Sequence, residues 1–233
     1  MYTPSIAAEF KGADIGYRRP VVRGVSFSIP ARGLIALIGP NGAGKTTIMR
    51  SLFGRARVFK GIVKAYVELS YIPAELPEGL MLTALEVVLT ARANGGWASA
   101  SRALEALKAL NIADLANVRM SELSTGQKRL VMLARALASG APLLLVDEPT
   151  ANLDLGNRML VARLLAELSR SRAVVVATHD LYLVRQAQRV IVVNGGSAID
   201  IGPPANLTWD ILAKAYSIPY SGREFNDLAM FIT

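Results

Sequence analysis

Gly39-Pro40-Asn41-Gly42-Ala43-Gly44-Lys45-Thr46 follows the uninterrupted apolar run Leu34–Ile38. It opens onto 46–53, where helical spacing turns Ile48, Met49, Leu52 and Phe53 inward. Five consecutive apolar residues fit a strand buried on both faces. A glycine-rich loop between such a strand and a helix can close its backbone around a phosphate chain. No Cβ obstructs the N–H groups, and the helix N-terminus adds roughly half a positive charge. The Gly-x4-Gly-Lys-Thr spacing places Lys45 to bridge terminal phosphates and the Thr46 hydroxyl to ligate Mg²⁺.

Working outward, Val25, Phe27 and Ile29 alternate with serines as a half-buried strand does, and Pro30-Ala31-Arg32-Gly33 turns the chain into the apolar run. Residues 61–72 read as one or two further strands, including Glu68–Ile72. From Ala84 the period changes: Leu85, Val88 and Leu89, then Leu104, Leu107 and Leu110, recur at helical spacing around Asn94-Gly95-Gly96. Strands return at Leu143–Val146, Val174–Ala177 and Val190–Val193, alternating with helices near 128–139, 157–169 and 180–187. Thr208 is a candidate cap for a last helix. Alternating apolar strands and helices predict an α/β fold with a mostly parallel sheet.

The chain has 233 residues, 52% hydrophobic and 19% charged, with no cysteine. This excludes a disordered chain, a disulfide scaffold, thiolate metal sites and cysteine nucleophiles. No apolar stretch reaches the ~18–20 residues of a membrane-spanning helix. Met1-Tyr2-Thr3-Pro4 does not start a secretory signal, so a cytoplasmic chain is expected. The net charge of +8 lies entirely within residues 1–60, which carry ten basic residues against two acidic. That asymmetry suits a polyanionic partner such as a phosphate chain, nucleic acid or anionic lipid.

Further motifs bear chemistry. Asp147 and Glu148 end the apolar run Leu143–Val146. Beside a phosphate loop, Asp147 is the natural metal partner, and Glu148 can deprotonate an attacking water. His179, the single histidine, follows Val174–Ala177 at the carboxyl edge of a parallel sheet, where ligand sites form. Leu123-Ser124-Thr125-Gly126-Gln127 precedes a helix, so Ser124 is an N-cap at a second anion-binding helix start.

Taken in order with Ala151-Asn152-Leu153-Asp154 and Thr178-His179-Asp180, these motifs resemble the ATP-binding cassette (ABC) transporter ATPases from about Phe10 to Tyr220. The resemblance implies a P-loop cassette with a mostly parallel core sheet, an antiparallel β subdomain and an inserted helical subdomain. Residues 1–75 and 134–233 would form the core, and 76–133 the helical subdomain. It further implies ATP and Mg²⁺ as ligands. Gly39, Asn41, Gly42, Gly44, Lys45, Thr46 and Thr47 would hold the phosphates, with Thr46 and Asp147 at the metal. Tyr17, 28 residues before Lys45, would stack on adenine. Ser124, Gly126 and Gln127 would contact ATP on the other subunit of a head-to-tail dimer, with Asp154 in the loop linking the two sites. Lys45, Glu148 and His179 would be catalytic.

The sequence departs from the family at one important place. After Tyr71-Ile72-Pro73 the family usually has a glutamine that reaches Mg²⁺ and water, and here Ala74 stands, followed by Glu75. A methyl group can do neither, so a slower ATPase is expected unless a neighbour compensates. Thr125, where glycine is frequent, is a milder departure. The segments Met81–Leu89, Asp154-Leu155-Gly156 and Gly202-Pro203-Pro204…Tyr216-Ser217-Ile218-Pro219-Tyr220 resemble importers of iron chelates, haem or cobalamin. The resemblance thus implies a motor subunit at the cytoplasmic face of the cell membrane. Its partners would be a second ATPase subunit (identical or not), membrane permease subunits and a substrate-binding protein, with no nucleic acid. A separate-chain exporter ATPase and a soluble non-transport ATPase are the alternatives.

Overall fold

The computed structural model describes residues 5–75, 79–93 and 96–218. Three strands, β1 (Ile6–Gly16), β2 (Pro20–Pro30) and β4 (Arg57–Ala65), form an antiparallel sheet in the order β2-β1-β4. The second sheet has six strands. It is built from β3 (Gly33–Ile38), β5 (Leu69–Ile72), β8 (Leu143–Asp147), β9 (Ala173–Ala177), β10 (Arg189–Asn194) and β11 (Ser197–Gly202), in the order β11-β10-β3-β9-β8-β5. All neighbours are parallel except the β10–β11 hairpin.

Continuous apolar runs are needed because this sheet is covered on both faces. Along β3, Leu34, Ala36 and Ile38 enter one core while Ile35 and Leu37 enter the other. β8 and β9 divide in the same way. One face packs on α1 (Lys45–Ser51) and the antiparallel sheet, through Ile48, Met49, Phe10 and Phe27. The other packs on helices, including α5 (Leu155–Leu168), α6 (Leu181–Arg185) and α7 (Trp209–Tyr216). Each fully buried Leu or Ile contributes about 1.5–3 kcal/mol relative to exposure, so the central strands dominate stability.

Between β5 and β8 lie α2 (Ala84–Leu89), a short hairpin of β6 (Arg92–Ala93) and β7 (Gly96–Trp97), α3 (Ala100–Ala109) and α4 (Thr125–Ser139). Thr83 caps α2 with a reciprocal bond from its backbone to Glu86, and Ser99 caps α3.

Several expectations shift. The first helix runs Lys45–Ser51, leaving Leu52 and Phe53 half-buried beyond its end. The 61–72 region divides between two sheets, with β4 beginning at Arg57. The long helix near 128–139 starts three residues earlier, at Thr125. Strands β1 and β11 and the short antiparallel pair β6–β7 were not among the expected elements. Thr208 is the N-cap of α7, as expected. Pro219 and Tyr220 lie outside the described residues.

Candidate nucleotide site

The loop between β3 and α1 is shaped by its glycines. Gly39 (φ 144°), Gly42 (φ 77°) and Gly44 (φ 109°) all occupy backbone conformations that L side chains resist. A Cβ on Gly39 would lie 1.9 Å from the Val193 carbonyl oxygen, and one on Gly44 would lie 2.5 Å from Val22 Cγ1. No larger residue fits either position. Lys45, only 7% exposed, folds back so that its Nζ donates to the Gly39 and Pro40 carbonyls at 2.6 and 3.1 Å. Burial lowers its pKa, and the charges of Glu148 and Asp147 oppose that shift.

The phosphate loop and the acidic strand end meet in one cavity of about 240 Å³. It is lined by residues 41–47, Ala74, Asp147 and Glu148. Thr46 Oγ1 donates to Asp147 Oδ2 at 2.6 Å, and Tyr71 Oη makes a longer contact with the same oxygen at 3.4 Å. Burial raises the Asp147 pKa, and the bonds from Thr46 and Tyr71 oppose it. Hard oxygen donors beside a phosphate loop suit a small divalent cation shared with phosphates.

Glu148 sits in the left-handed backbone region (φ 50°), its N–H bonded to the Ala177 carbonyl at 2.8 Å. Just beyond β9, buried Thr178 accepts from the Asp180 N–H, and Asp180 caps α6. These bonds fix the turn that carries His179, whose Nδ1 lies 2.9 Å from Glu148 Oε2. The cavity therefore gathers Asn41, Gly42, Gly44, Lys45, Thr46, Thr47, Asp147 and Glu148, with Gly39 and His179 adjoining.

The other expected site residues lie apart. Tyr17 is 45% exposed, its Oη 3.5 Å from Arg50 Nη1. Ser124 caps α4: its Oγ accepts from Gln127 N–H at 3.2 Å, while Gln127 Oε1 accepts from Ser124 N–H at 2.9 Å. Gly126 lies against the turn before α5, where a Cβ would be 3.1 Å from the Asn152 carbonyl oxygen. Asp154 caps α5 through Asn157, which holds its carboxyl below the usual range. Ser124 and Asp154 are both exposed. Ala74 lines the cavity, and Glu75 is exposed.

Sequence reasoning missed three residues that stand at or behind the site. Tyr216 Oη accepts from the Gly39 N–H at 3.0 Å, bracing the loop from α7. Tyr71 reaches Asp147, and Arg129 is buried behind Ala74. Only Arg129 carried a signal, as a cation on the inward face of an amphipathic helix.

The family model described as ABC transporter matches residues 22–151. The chain belongs to the ABC transporter ATPases. It is 38% identical to the hemin import ATP-binding protein HmuV of Streptomyces coelicolor, over 93% of this chain and 86% of that protein. An inward-facing metal-chelate type ABC transporter structure is similar at 28% identity, with a TM-score of 0.81, covering 92% of this chain and 90% of that one. A dimeric post-hydrolysis cassette bound to ADP and Pi is similar at 25% identity, with a TM-score of 0.71, covering 83% and 98%. The protein is an ATP-binding, ATP-hydrolysing cassette, and none of its described helices is long and apolar enough to cross a membrane.

Proposed function

We propose that this ABC ATPase drives import of haem or a related metal chelate, working at the cytoplasmic face of the membrane as a head-to-tail pair beneath permease subunits. The cavity that unites the phosphate loop with Asp147 and Glu148 carries the chemical part of this reading. The near full-length similarity to a hemin import ATPase supports the cargo class.

In this reading the loop amides and Lys45 hold the β- and γ-phosphates of ATP, and the exposed Tyr17 ring stacks on adenine. Mg²⁺, held by Thr46 and Asp147, neutralises phosphate charge when bound. Glu148, half-buried at the cavity wall, takes the proton from a water that attacks the γ-phosphorus. The bond to the β–γ bridging oxygen breaks, giving ADP and phosphate. His179 holds the Glu148 carboxylate in place and contacts the γ-phosphate. Ser124, Gly126 and Gln127, at the exposed start of α4, meet the ATP of the opposite subunit, where backbone N–H groups favour anions. Asp154 lies in the turn that connects the two sites.

A cell lacking this chain tests the cargo. Wild type should restore haem uptake and Lys45→Ala should not. Unimpaired haem uptake without the chain would refute an import role for haem.

A further inference from the structure

Arg129, on the second turn of α4, is 2% exposed and takes no part in the phosphate site described above. Its Nη2 donates to the Ala74 carbonyl at 2.6 Å, while Nη1 lies 3.5 Å from the Pro73 oxygen and 3.4 Å from the Asp147 backbone oxygen. Its Nε is buried without a hydrogen-bond partner. One guanidinium thus joins three segments: the helix opened by Ser124, the segment after β5, and the end of β8 that carries Asp147 and Glu148.

Burying a guanidinium is costly unless carbonyls or carboxylates compensate. The cost is incompletely met here, since Nε is orphaned and two of the contacts are long. The negative charges of Glu148 and Asp147 favour a cation at this place. The group stands directly behind Ala74, the cavity-lining residue whose side chain cannot ligate or orient anything. An arginine's rigid fork can span three separate carbonyls, whereas a lysine ammonium cannot match that geometry.

We propose that Arg129 is a positioning residue for hydrolysis, clamping the Ala74 backbone and the acidic end of β8 to α4 so that they move together. This rests on the head-to-tail reading above: ATP of the opposite subunit pulls on the start of α4, and the clamp carries that displacement to Glu148. Binding of ATP to a single subunit does not depend on it, because among the described residues the hydrogen bonds of Arg129 go to Pro73, Ala74 and the Asp147 backbone and not to the phosphate loop.

The experiment compares the full chain as wild type, Arg129→Lys and Arg129→Met. It measures binding of a fluorescent ATP analogue, the kcat, KM and protein-concentration dependence of ATP hydrolysis, and thermal unfolding. Arg129→Lys should fold and bind the analogue within about twofold of wild type, yet lose at least about fivefold in kcat. Arg129→Met should lose more, so that lysine gives partial rescue. A lysine variant with wild-type kcat overturns the proposal. So does a lysine variant that fails to fold, or a loss confined to KM, since each makes the residue structural or a binding group. A wild-type protein that does not hydrolyse ATP would instead sink the underlying reading.

Discussion

His179 Nδ1 lies 2.9 Å from Glu148 Oε2, although the two residues follow different strands, β9 and β8, and are 31 positions apart. The contact follows from the parallel pairing of β8 and β9, which sets Asp147 beside Ala177 and so brings the following residues together. The His179 side chain is largely exposed and that of Glu148 mostly covered, and the Glu148 Oε2 that faces the imidazole is itself buried. His179→Ala should lower kcat about 10- to 100-fold through lost positioning and charge stabilisation, with ATP affinity within about threefold. Steady-state kinetics with a separate binding titration checks this; an unchanged kcat excludes the role.

Ser124 separates two roles that one residue can hold. As the N-cap of α4 its oxygen accepts from Gln127, and aspartate serves that position equally well. Ser124→Asp should keep thermal stability within about 0.5 kcal/mol, while Ser124→Ala loses about 1 kcal/mol of capping. At the proposed dimer interface the added carboxylate would repel the opposing ATP. Ser124→Asp should therefore abolish hydrolysis without loss of stability, and retained turnover would place Ser124 outside the composite site.

Asp154 makes acid stability a local probe. Its bonds from Asn157 hold its folded pKa below the unfolded value, so its contribution is complete above about pH 4 and is lost as pH falls through the folded value. Asp154→Asn can still cap α5 but lacks this ionisation. The stability gap between wild type and Asp154→Asn should be present at neutral pH and close only as pH falls below about 4, through the lowered folded value. A gap independent of pH in thermal melts would contradict it.

The central sheet was legible because burial on both faces writes itself as unbroken apolar runs, as at Leu34–Ile38 and Leu143–Val146. The phosphate loop was legible because its glycines are dictated by backbone geometry at Gly39 and Gly44. β1 was not: register shifts between Phe10 and Ala13 place exposed Lys11 and Gly12 mid-strand and break its alternation. β11 is half-covered and has no apolar run. The contacts of Tyr216 with Gly39 and of Arg129 with Ala74 join residues 177 and 55 positions apart, so only tertiary packing reveals them. The left-handed backbone of Glu148 is another property of the fold, since glutamate has no preference for that conformation.

In the proposed mechanism Glu148 is the base that deprotonates water, and Glu148→Gln isolates that role because the amide keeps shape but cannot take a proton. With ATP and Mg²⁺, hydrolysis should fall about 10²- to 10⁴-fold while nucleotide binding persists. Size-exclusion chromatography with coupled detection of bound nucleotide measures this most directly. Glu148→Gln should elute as a stable dimer retaining two ATP, where wild type returns to monomer as ADP forms. Hydrolysis by Glu148→Gln at the wild-type rate, with no trapped dimer, would contradict it.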